Sequence, residues 1–325
     1  MTLLEVEDLR VTFSRKGSLA TTAVDGVSFD VDAGEVVGLV GESGCGKSVT
    51  SLAVMGLLPT RGTTVTGSVR FDGTDLLTSS PQEVAQRRGK DLAMVFQDPM
   101  TSLNPVLTLG RQLTEVLRTH TGAGRAQARA QAVDLLGRVG IPDPRRRFSE
   151  YPHQLSGGMR QRVLIAIALA CSPRLIIADE PTTALDVTIQ AQVLDLLTGL
   201  VRESGTAMVL ITHDLGVVAG TCDRVNVLYA GRVVERAPRG ELFAEPRHRY
   251  TTGLLGAVPR VDAPEGTALQ PVPGSVRDLL PWAQGCAFAP RCAYADGDCR
   301  TGDLPLPAGE HAARCVHPAA LEVSR

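Results

Sequence analysis

The stretch Val36-Val-Gly-Leu-Val-Gly41-Glu-Ser-Gly-Cys-Gly-Lys47-Ser48 joins a continuous apolar run to a glycine-rich loop. An uninterrupted apolar run of this kind is typical of a strand buried inside a parallel sheet. The residues from Lys47 to Leu58 then have helical character and stop before Pro59. Strand, loop and helix in this order are the context in which such a loop cradles phosphate groups. The sequence therefore predicts an α/β core with a phosphate-binding loop.

Each defined position of this loop has a predicted role. The glycines let the backbone wrap the phosphates closely, Lys47 brings a positive charge to the β and γ oxygens, and Ser48 reaches Mg²⁺. A chance glycine turn is the alternative, and the flanking strand and helix disfavour it. We assign no separate function to Cys45, which occupies a variable position of the loop. The predicted ATP contacts are Gly41, Glu42, Ser43, Gly44, Cys45, Gly46, Lys47 and Ser48.

Two carboxylates follow a second apolar strand, Leu175-Ile-Ile-Ala-Asp179-Glu180. An aspartate at the end of such a strand places its carboxylate near the Mg²⁺ of a bound nucleotide. A second carboxylate beside it can polarise the attacking water as a general base. The alternative is an ordinary acidic turn after a strand. With the phosphate loop in the same chain, we predict Asp179 as a metal ligand and Glu180 as the catalytic base.

Gln97 and His213 also stand directly after strand-like runs. Gln97 can ligate Mg²⁺ or orient the attacking water, and His213 can sense or stabilise the γ-phosphate. Taken alone, each residue is more often a structural feature of a strand end. Both functional interpretations gain weight because the carboxyl ends of parallel strands lie on one edge of a sheet, where α/β proteins place their chemistry.

A second glycine-rich turn, Leu155-Ser156-Gly157-Gly158-Met159-Arg160-Gln161, opens another helix. The backbone N–H groups at the start of a helix can face an anion. One nucleotide has a single γ-phosphate, so two phosphate-facing turns in one chain need an explanation. The economical one is a head-to-tail dimer, in which each ATP lies between the first loop of one subunit and the second loop of its partner.

The chain is predicted to contain two domains. Residues 1–235 form the nucleotide-binding domain, into which a helical subdomain over about 98–160 is inserted, with helices at Leu109–Arg118 and Ala126–Val139. After Val234 the periodicity fades and prolines become frequent. We place a linker there, followed by a small, irregular, cysteine-bearing module within 236–325.

Composition limits the possible partners and location. A net charge of −2 over 325 residues gives no general basic field, which argues weakly against nucleic acid as the main partner. The longest apolar run, around Val163–Ala170, is too short to span a bilayer. The first residues lack the basic and apolar regions of a signal peptide. We expect a cytoplasmic protein that reaches a membrane only by docking onto another protein.

Four of the seven cysteines, Cys286, Cys292, Cys299 and Cys315, crowd into the C-terminal region with the spacing C-x5-C-x6-C-x15-C. In a reducing compartment such a cluster suggests a metal site before disulfides. Thiolates suit Zn²⁺ or an iron–sulfur cluster, but the close C-x2-C pairs common in zinc sites are absent. From the residues alone, both metals, a metal-free segment and disulfides stay open.

In this order, the phosphate loop, Gln97, Leu155-Ser-Gly-Gly158, Asp179-Glu180, Ala184-Leu185-Asp186 and His213 resemble the nucleotide-binding subunit of an ABC transporter. The resemblance implies that Ser156 and Gly158 contact the γ-phosphate in trans. It also implies that Asp186 belongs to a loop linking the two ATP sites, and that an aromatic residue near the N-terminus stacks on adenine. Phe13 is the candidate for that aromatic residue, with core packing as the alternative.

Three further stretches are similar to the ATPases of oligopeptide and dipeptide importers. They are Phe96-Gln-Asp-Pro-Met-Thr-Ser-Leu-Asn-Pro105, His248-Arg-Tyr-Thr-Thr-Gly-Leu-Leu with Val258-Pro259, and Gly285-Cys-Ala-Phe-Ala-Pro-Arg-Cys292. This resemblance implies a [4Fe–4S] cluster on the four C-terminal cysteines, with zinc as the alternative.

The same resemblance implies the function and the partners. ATP hydrolysis would drive uptake of di- and oligopeptides through two membrane-spanning permease subunits, at the cytoplasmic face of the cell membrane. A second ATPase subunit, in a heterodimer or a homodimer, completes the pair, and an extracytoplasmic peptide-binding protein delivers the cargo. The alternatives are import of nickel, sugar or glutathione, an ABC ATPase not coupled to transport, and a regulatory partner that does not hydrolyse ATP.

Overall fold

The computed structural model describes residues 1–14, 17, 20–183, 185–258, 272–276 and 284–319. Two residues of the motifs quoted above, Ala184 and Pro259, lie outside this part of the chain. The chain divides into two compact units. The first unit comprises residues 1–3, 31–35 and 78–211, and the second comprises residues 4–30, 36–77 and 212–325.

Strands and helices alternate along much of the chain. The strands are β1 Thr2–Phe13, β2 Thr21–Asp32, β3 Val36–Val40, β4 Thr63–Phe71, β5 Thr74–Asp75, β6 Leu92–Val95, β7 Leu175–Asp179, β8 Ala207–Thr212, β9 Arg224–Tyr229, β10 Arg232–Pro238 and β11 Ala312–Ala313. The helices are α1 Lys47–Val54, α2 Pro81–Arg87, α3 Pro99–Ser102, α4 Leu109–Thr121, α5 Arg125–Arg138, α6 Pro144–Arg147, α7 Gly157–Leu169, α8 Val187–Ser204, α9 Leu215–Thr221, α10 Arg239–Ala244 and α11 Arg249–Gly256.

In the second unit, β3 is buried along its whole length and runs parallel to β9. β9 is in turn antiparallel to β10, and β10 is antiparallel to β11. A separate sheet has the strand order β2-β1-β4-β5. The five apolar or glycine residues of β3 have no solvent face, which explains why this strand reads as a continuous apolar run rather than an alternating one.

In the first unit, β6, β7 and β8 are consecutive parallel strands. Val95 of β6 pairs with Ala178 of β7, and Ala178 pairs with Leu210 of β8. This register sets the residues that follow the three strands at the same level. All residues of β7 and β8 are buried, so both strands fit a sheet that is covered on its two faces.

The two helices predicted after Gln97 are present. α4 buries Leu109, Leu113 and Leu117, which are spaced four residues apart and so share one helix face. α4 begins where Thr108 Oγ1 accepts a hydrogen bond from the backbone N–H of Arg111. It ends at Gly122, whose φ of 69° is the left-handed conformation common at helix C-termini.

The expectation of a linker after Val234 is wrong, because β10 runs without interruption from Arg232 to Pro238 and α10 and α11 follow. The predicted domain boundary at 235/236 therefore falls within a strand, and the division into two functional modules stays a prediction. Glu235 hides the strand β10 from the sequence pattern, because a charged residue is not expected at a buried strand position. Its carboxylate is fully buried on a strand and interrupts the apolar run.

The Glu235 carboxylate anchors the chain that follows it. It accepts hydrogen bonds from the backbone N–H groups of Arg247 at 2.7 Å and His248 at 2.8 Å, and lies 2.8 Å from Nε2 of His311. Buried carboxylates are retained when such donors satisfy their oxygens. One side chain thus fixes the start of α11 and the strand-like segment near β11.

No helix in the part of the chain that the structure describes is both long enough and apolar enough to cross a membrane.

Glu235→Ala should lower the free energy of unfolding by about 3 kcal/mol, because three donors would lose a buried acceptor. The measurement is a urea titration. The matched control is Glu241→Ala, which removes a carboxylate that is 54% exposed and lies 3.3 Å from the other nitrogen of His311. This control should change stability by less than about 1 kcal/mol. Equal losses in the two variants would contradict the anchoring role of Glu235.

Candidate functional site

The glycine loop follows β3 directly and leads into α1. Gly46 is the N-cap of α1 and offers no side-chain hydrogen bond to its first turn. The first N–H groups of a helix have no partner inside the helix, and their dipoles favour a negative charge. The start of α1 therefore presents backbone donors of the kind that bind phosphate oxygens.

Two loop positions have no room for a side chain. A Cβ atom on Gly41 would lie 2.2 Å from the carbonyl oxygen of Leu228 in β9. One on Gly46 would lie 2.6 Å from the carbonyl oxygen of Ala23, and the φ of Gly46 is +104°. A substitution at either position would have to move the backbone, so the loop keeps its path only with glycine there.

Lys47 is held at the loop by the backbone. Its side chain is buried, and its Nζ donates to the carbonyl oxygens of Gly41 at 2.7 Å and Glu42 at 3.0 Å. These bonds set the ammonium group against the loop it is predicted to serve. Cys45 is completely buried beside it, and burial raises the pKa of the Cys45 thiol. This cysteine is therefore a packed neutral side chain rather than a reactive thiolate.

In the first unit, the structure brings Gln97 and Glu180 together. Gln97 stands two residues after Val95 in β6, and Glu180 stands two residues after Ala178 in β7, the paired residue. Nε2 of Gln97 donates to Oε2 of Glu180 at 2.9 Å. Asp179, the last residue of β7, is 5% exposed. The contact shows that these two side chains share one end of the sheet, as the sequence predicts.

Thr183 is a contact residue that the sequence analysis missed. Its Oγ1 donates to the same Oε2 atom of Glu180 at 2.8 Å. A threonine three residues after an acidic residue is a common turn pattern. This pattern is the only feature of the sequence that points to a contact between Thr183 and Glu180. With Gln97 it fixes the direction of the Glu180 carboxylate.

The backbone of Glu180 is strained. Its φ is +45°, a left-handed conformation that is uncommon for residues other than glycine. Its N–H donates to the carbonyl oxygen of Ile211 at 2.9 Å, so the adjacent strand holds it in place. Residues held in such conformations are concentrated at functional sites.

The second glycine turn forms the start of α7. Ser156 is the N-cap, and its Oγ accepts a hydrogen bond from the N–H of Met159 at 3.4 Å. A Cβ atom on Gly158 would lie 2.6 Å from Cγ2 of Ile189 in α8, whereas one on Gly157 would lie 3.3 Å from Cδ2 of Leu185. Gly158 therefore lets α7 approach α8 closely, in addition to the phosphate contact predicted for it.

The structure gives the positions of three other predicted site residues, and their functional roles stay predictions. Asp186 caps α8, with Oδ1 accepting from the N–H of Ile189 at 3.1 Å. His213 is exposed directly after β8. Phe13 is half-buried at the end of β1, where it pairs with Thr63 of β4.

The four C-terminal cysteines, all in the second unit, line one cavity together with His248, Arg249 and Phe288. They are free of disulfides. Burial lowers the pKa of His248 to about 4, so its ring is neutral at pH 7. Nδ1 of this ring accepts from the N–H of Tyr250, and Nε2 lies 4.0 Å from Sγ of Cys286.

A second group of ligand-type side chains includes only one of these cysteines. Among the described residues, Asp296, Cys299 and His317 are the group whose ligand atoms all lie within 4.8 Å of one another. A hydrogen-bond contact of 2.7 Å between His317 Nε2 and Asp296 Oδ2 accounts for part of this proximity. Asp296 Oδ1 also accepts from the N–H of Cys299 at 3.2 Å. The proximity is thus explained by a turn and a side-chain hydrogen bond.

Two family models match the chain. The model described as ABC transporter matches residues 24–183, and the model described as the C-terminal region of the oligopeptide/dipeptide transporter matches residues 234–299. The chain is 53% identical over 299 residues to a probable peptide ABC transporter ATP-binding protein of Sinorhizobium fredii, covering 92% of this chain and 89% of that protein. It is 52% identical over 293 residues to the oligopeptide transport ATP-binding protein OppD of Salmonella typhimurium, covering 90% and 87%.

Solved structures resemble the chain as well. A dimeric ATP-binding cassette, in a post-hydrolysis state with ADP and phosphate bound, has a TM-score of 0.64 and 30% identity, covering 73% of this chain and 98% of that chain. A part of an ABC transporter complex from Clostridium perfringens has a TM-score of 0.62 and 28% identity, covering 75% and 91%.

The fold and its phosphate loop define an α/β P-loop ATPase of the ATP-binding cassette type, which confirms the predicted core and the predicted ATPase activity. The chain belongs to the ATP-binding proteins of ABC transporters, within the oligopeptide and dipeptide transporter family.

Gly158→Ala should lower the free energy of unfolding by about 1 to 3 kcal/mol, the usual effect of overpacking, because the new methyl group meets Ile189. Ile189→Ala in the same chain should recover most of that loss in a urea titration. Gly157→Ala is the matched control, since the end of the Leu185 side chain can move away. If the double variant were no more stable than Gly158→Ala alone, contact with Ile189 would not be what requires glycine.

Proposed function

We propose that this chain is the ATPase subunit that powers uptake of di- and oligopeptides through a membrane ABC importer. The observation that carries the catalytic part is the Glu180 carboxylate, aligned by Gln97 and Thr183 beside the buried Asp179. The cargo follows from the relatives, which are named as peptide and oligopeptide transport ATP-binding proteins. The C-terminal family match supports the same branch.

ATP is the substrate, and Gly41–Ser48 is its proposed phosphate cradle, with Glu42, Ser43, Gly44, Cys45 and Gly46 supplying backbone. Lys47 brings a positive charge to the β and γ oxygens. Ser48, Asp179 and Gln97 would hold Mg²⁺, since hydroxyl, carboxylate and amide oxygens are the ligands this ion prefers. Bound Mg²⁺ supplies neutralisation of phosphate charge.

Glu180 is the proposed general base. A carboxylate whose direction is fixed can accept a proton from a water molecule as that water attacks the γ-phosphorus. The bond between the γ-phosphorus and the β–γ bridging oxygen breaks in this step, which releases ADP and phosphate. The hydrogen bonds from Gln97 and Thr183 both reach Oε2 and hold the carboxylate in one direction. His213 is proposed to contact the γ-phosphate, and Phe13 is proposed to stack on adenine.

The site is proposed to be completed by a partner subunit. Ser156, Gly157 and Gly158 lie at the N-terminus of α7, where free N–H groups can contact the γ-phosphate bound to the other subunit. Asp186 belongs to the proposed loop between the two ATP sites. The adjacent Val187 is 82% exposed, and an exposed apolar residue there is consistent with an interface. The related cassette bound to ADP and phosphate is a dimer.

Partners are proposed as two permease subunits and a second ATPase subunit, in a heterodimer or a homodimer. The helical region after Gln97 would contact the permease. Met100 and Val106 in this region are 64% and 75% exposed, which suits a docking surface. An extracytoplasmic peptide-binding protein would deliver cargo, and nucleic acid is not a proposed partner. The chain would lie peripherally on the cytoplasmic face of the membrane.

We also propose a [4Fe–4S] cluster in the cysteine-bearing module of 236–325. Its ligands would be Cys286, Cys292, Cys299 and Cys315. In support, all four cysteines line one cavity, and the cation of Arg249 lines it too. Bound through four thiolates, such a cluster would cross-link segments that have little regular structure. Arg249 would offset its negative charge.

We propose the cluster rather than zinc because the sequence lacks the close C-x2-C pairs that are common in zinc sites.

Glu180→Gln should lower ATP turnover by at least about 100-fold, the usual contribution of a general base, and leave ATP binding in place. It should also trap a closed ATP-bound dimer, measured by size-exclusion chromatography with and without ATP. Asp195→Asn is the matched control, since it makes the same acid-to-amide change at an exposed position of α8. Undiminished turnover in Glu180→Gln would contradict the assignment of the base.

The same variant tests the cargo in cells. Uptake of a labelled dipeptide and a labelled tripeptide should stop, while uptake of free labelled amino acids continues. If peptide uptake were unchanged although purified Glu180→Gln is inactive, the chain would power a different transporter.

Anaerobically purified protein should contain about four iron and four sulfide per chain and absorb in the visible range. Cys286→Ser should lose both the iron and the absorbance. Cys171→Ser is the matched control, because Cys171 lies in the first unit and should not affect either quantity. Stoichiometric zinc without iron, or protein that holds no metal, would contradict the cluster.

A further inference from the structure

Glu42 stands inside the phosphate-binding loop and carries a negative charge toward which an anionic nucleotide must move. Its side chain is about a quarter exposed, with a fractional exposure of 27%. Glu42 stands five residues before Lys47. A carboxylate there repels the phosphate groups of ATP unless its charge is balanced. The structure contains the balancing group, and it comes from the other end of the chain.

Arg291 forms a two-pronged ion pair with Glu42. Nη1 lies 2.9 Å from Oε2, and Nη2 lies 2.9 Å from Oε1. The Arg291 side chain is 5% exposed. Parallel hydrogen bonds of this kind between a guanidinium group and a carboxylate are the strongest form of the interaction, and burial limits screening by salt.

The remaining donors of Arg291 are also used. Nε donates to the carbonyl oxygen of Pro273 at 2.6 Å, and Nη2 donates to that of Gly274 at 3.1 Å. Nη1 lies 3.3 Å from the Tyr229 hydroxyl group. Groups other than Glu42 thus also hold the guanidinium group in its orientation.

Tyr250 holds the backbone of the same residue. The N–H of Glu42 donates to the Tyr250 hydroxyl oxygen at 2.9 Å, and Tyr250 is fully buried. Its ring packs against Tyr229 at 4.6 Å and Phe288 at 5.4 Å between centroids. The carbonyl oxygen of Glu42 accepts from Lys47 Nζ. A continuous set of contacts therefore runs from Arg291 through Glu42 to the phosphate-binding lysine.

We infer that Arg291, together with Tyr250, is a positioning residue for the phosphate-binding loop. It neutralises Glu42 and fixes the loop backbone, so that the C-terminal region forms part of the ATP site. Arg291 does not need to touch the nucleotide for this role. The inference rests on the proposed role of Gly41–Ser48 in ATP binding and is independent of cargo.

Arg291→Ala should raise both the Kd for Mg·ATP and the KM by about tenfold or more, since a hydrogen-bonded buried charge pair contributes on this scale. The value of kcat at saturating ATP should stay within about threefold of wild type, because Arg291 does not act in the chemical step. A variant that merely lost folded protein would show the reverse, with a lower kcat and an unchanged KM. Arg300→Ala is the matched control, at an exposed arginine of the same segment.

The decisive comparison places Arg291→Ala in a chain that also carries Glu42→Gln. With the carboxylate neutral, there is no charge left for Arg291 to balance. The loss of ATP affinity caused by Arg291→Ala should therefore be at least several-fold smaller in that background. An equal loss in both backgrounds would overturn the inference, as would wild-type affinity in Arg291→Ala.

Titration of the wild-type chain with Mg·ATP keeps the two proposals apart. Tight binding by wild type with no effect of Arg291→Ala refutes the positioning role alone. Normal ATP binding together with absent peptide uptake refutes the proposed cargo and leaves the role of Arg291 standing.

Discussion

The constraint on which the second unit depends is the close approach of the phosphate-binding loop to β9. Gly41 passes so near the Leu228 carbonyl oxygen that an added carbon atom would be 2.2 Å away. The next residue of β9, Tyr229, is then carried to the place where Tyr250 and Phe288 pack. The loop therefore lies on a strand that ends in an aromatic cluster, and that cluster is built from the C-terminal region.

In the first unit, the register of the paired strands determines which residues meet at the end of the sheet. Pairing of Val95 with Ala178 is enough to bring Gln97 and Glu180 to the same level of the sheet. The left-handed backbone of Glu180 then directs its side chain, and hydrogen bonds from Gln97 and Thr183 hold it. Strain of this kind costs about 1 to 3 kcal/mol and persists only where surrounding contacts fix it.

Sequence patterns predict the parts of the fold that are local. The loop of Gly41–Ser48, the buried strands β7 and β8, and the helices α4 and α5 each have their signal within a few neighbouring residues. Contacts between distant residues leave no such signal. Arg291 and Glu42 are 249 positions apart, and nothing near either residue identifies the other. The burial of Glu235 leaves no local signal for a related reason, because its partners are Arg247, His248 and His311, which lie outside its strand.

The charge of Glu42 links the phosphate-binding loop to the C-terminal region, because Arg291 pairs with it. A loop that binds a highly anionic nucleotide gains nothing from a free carboxylate, yet this carboxylate is where the C-terminal region attaches. Without a partner, the Glu42 carboxylate would repel ATP. Paired with Arg291, Glu42 helps to fix the loop backbone next to Lys47. Arg291 directly precedes Cys292, which lines the cavity shared by the four C-terminal cysteines. The phosphate loop thus depends on contacts made at the far end of the chain, and the motif alone does not contain everything its geometry needs.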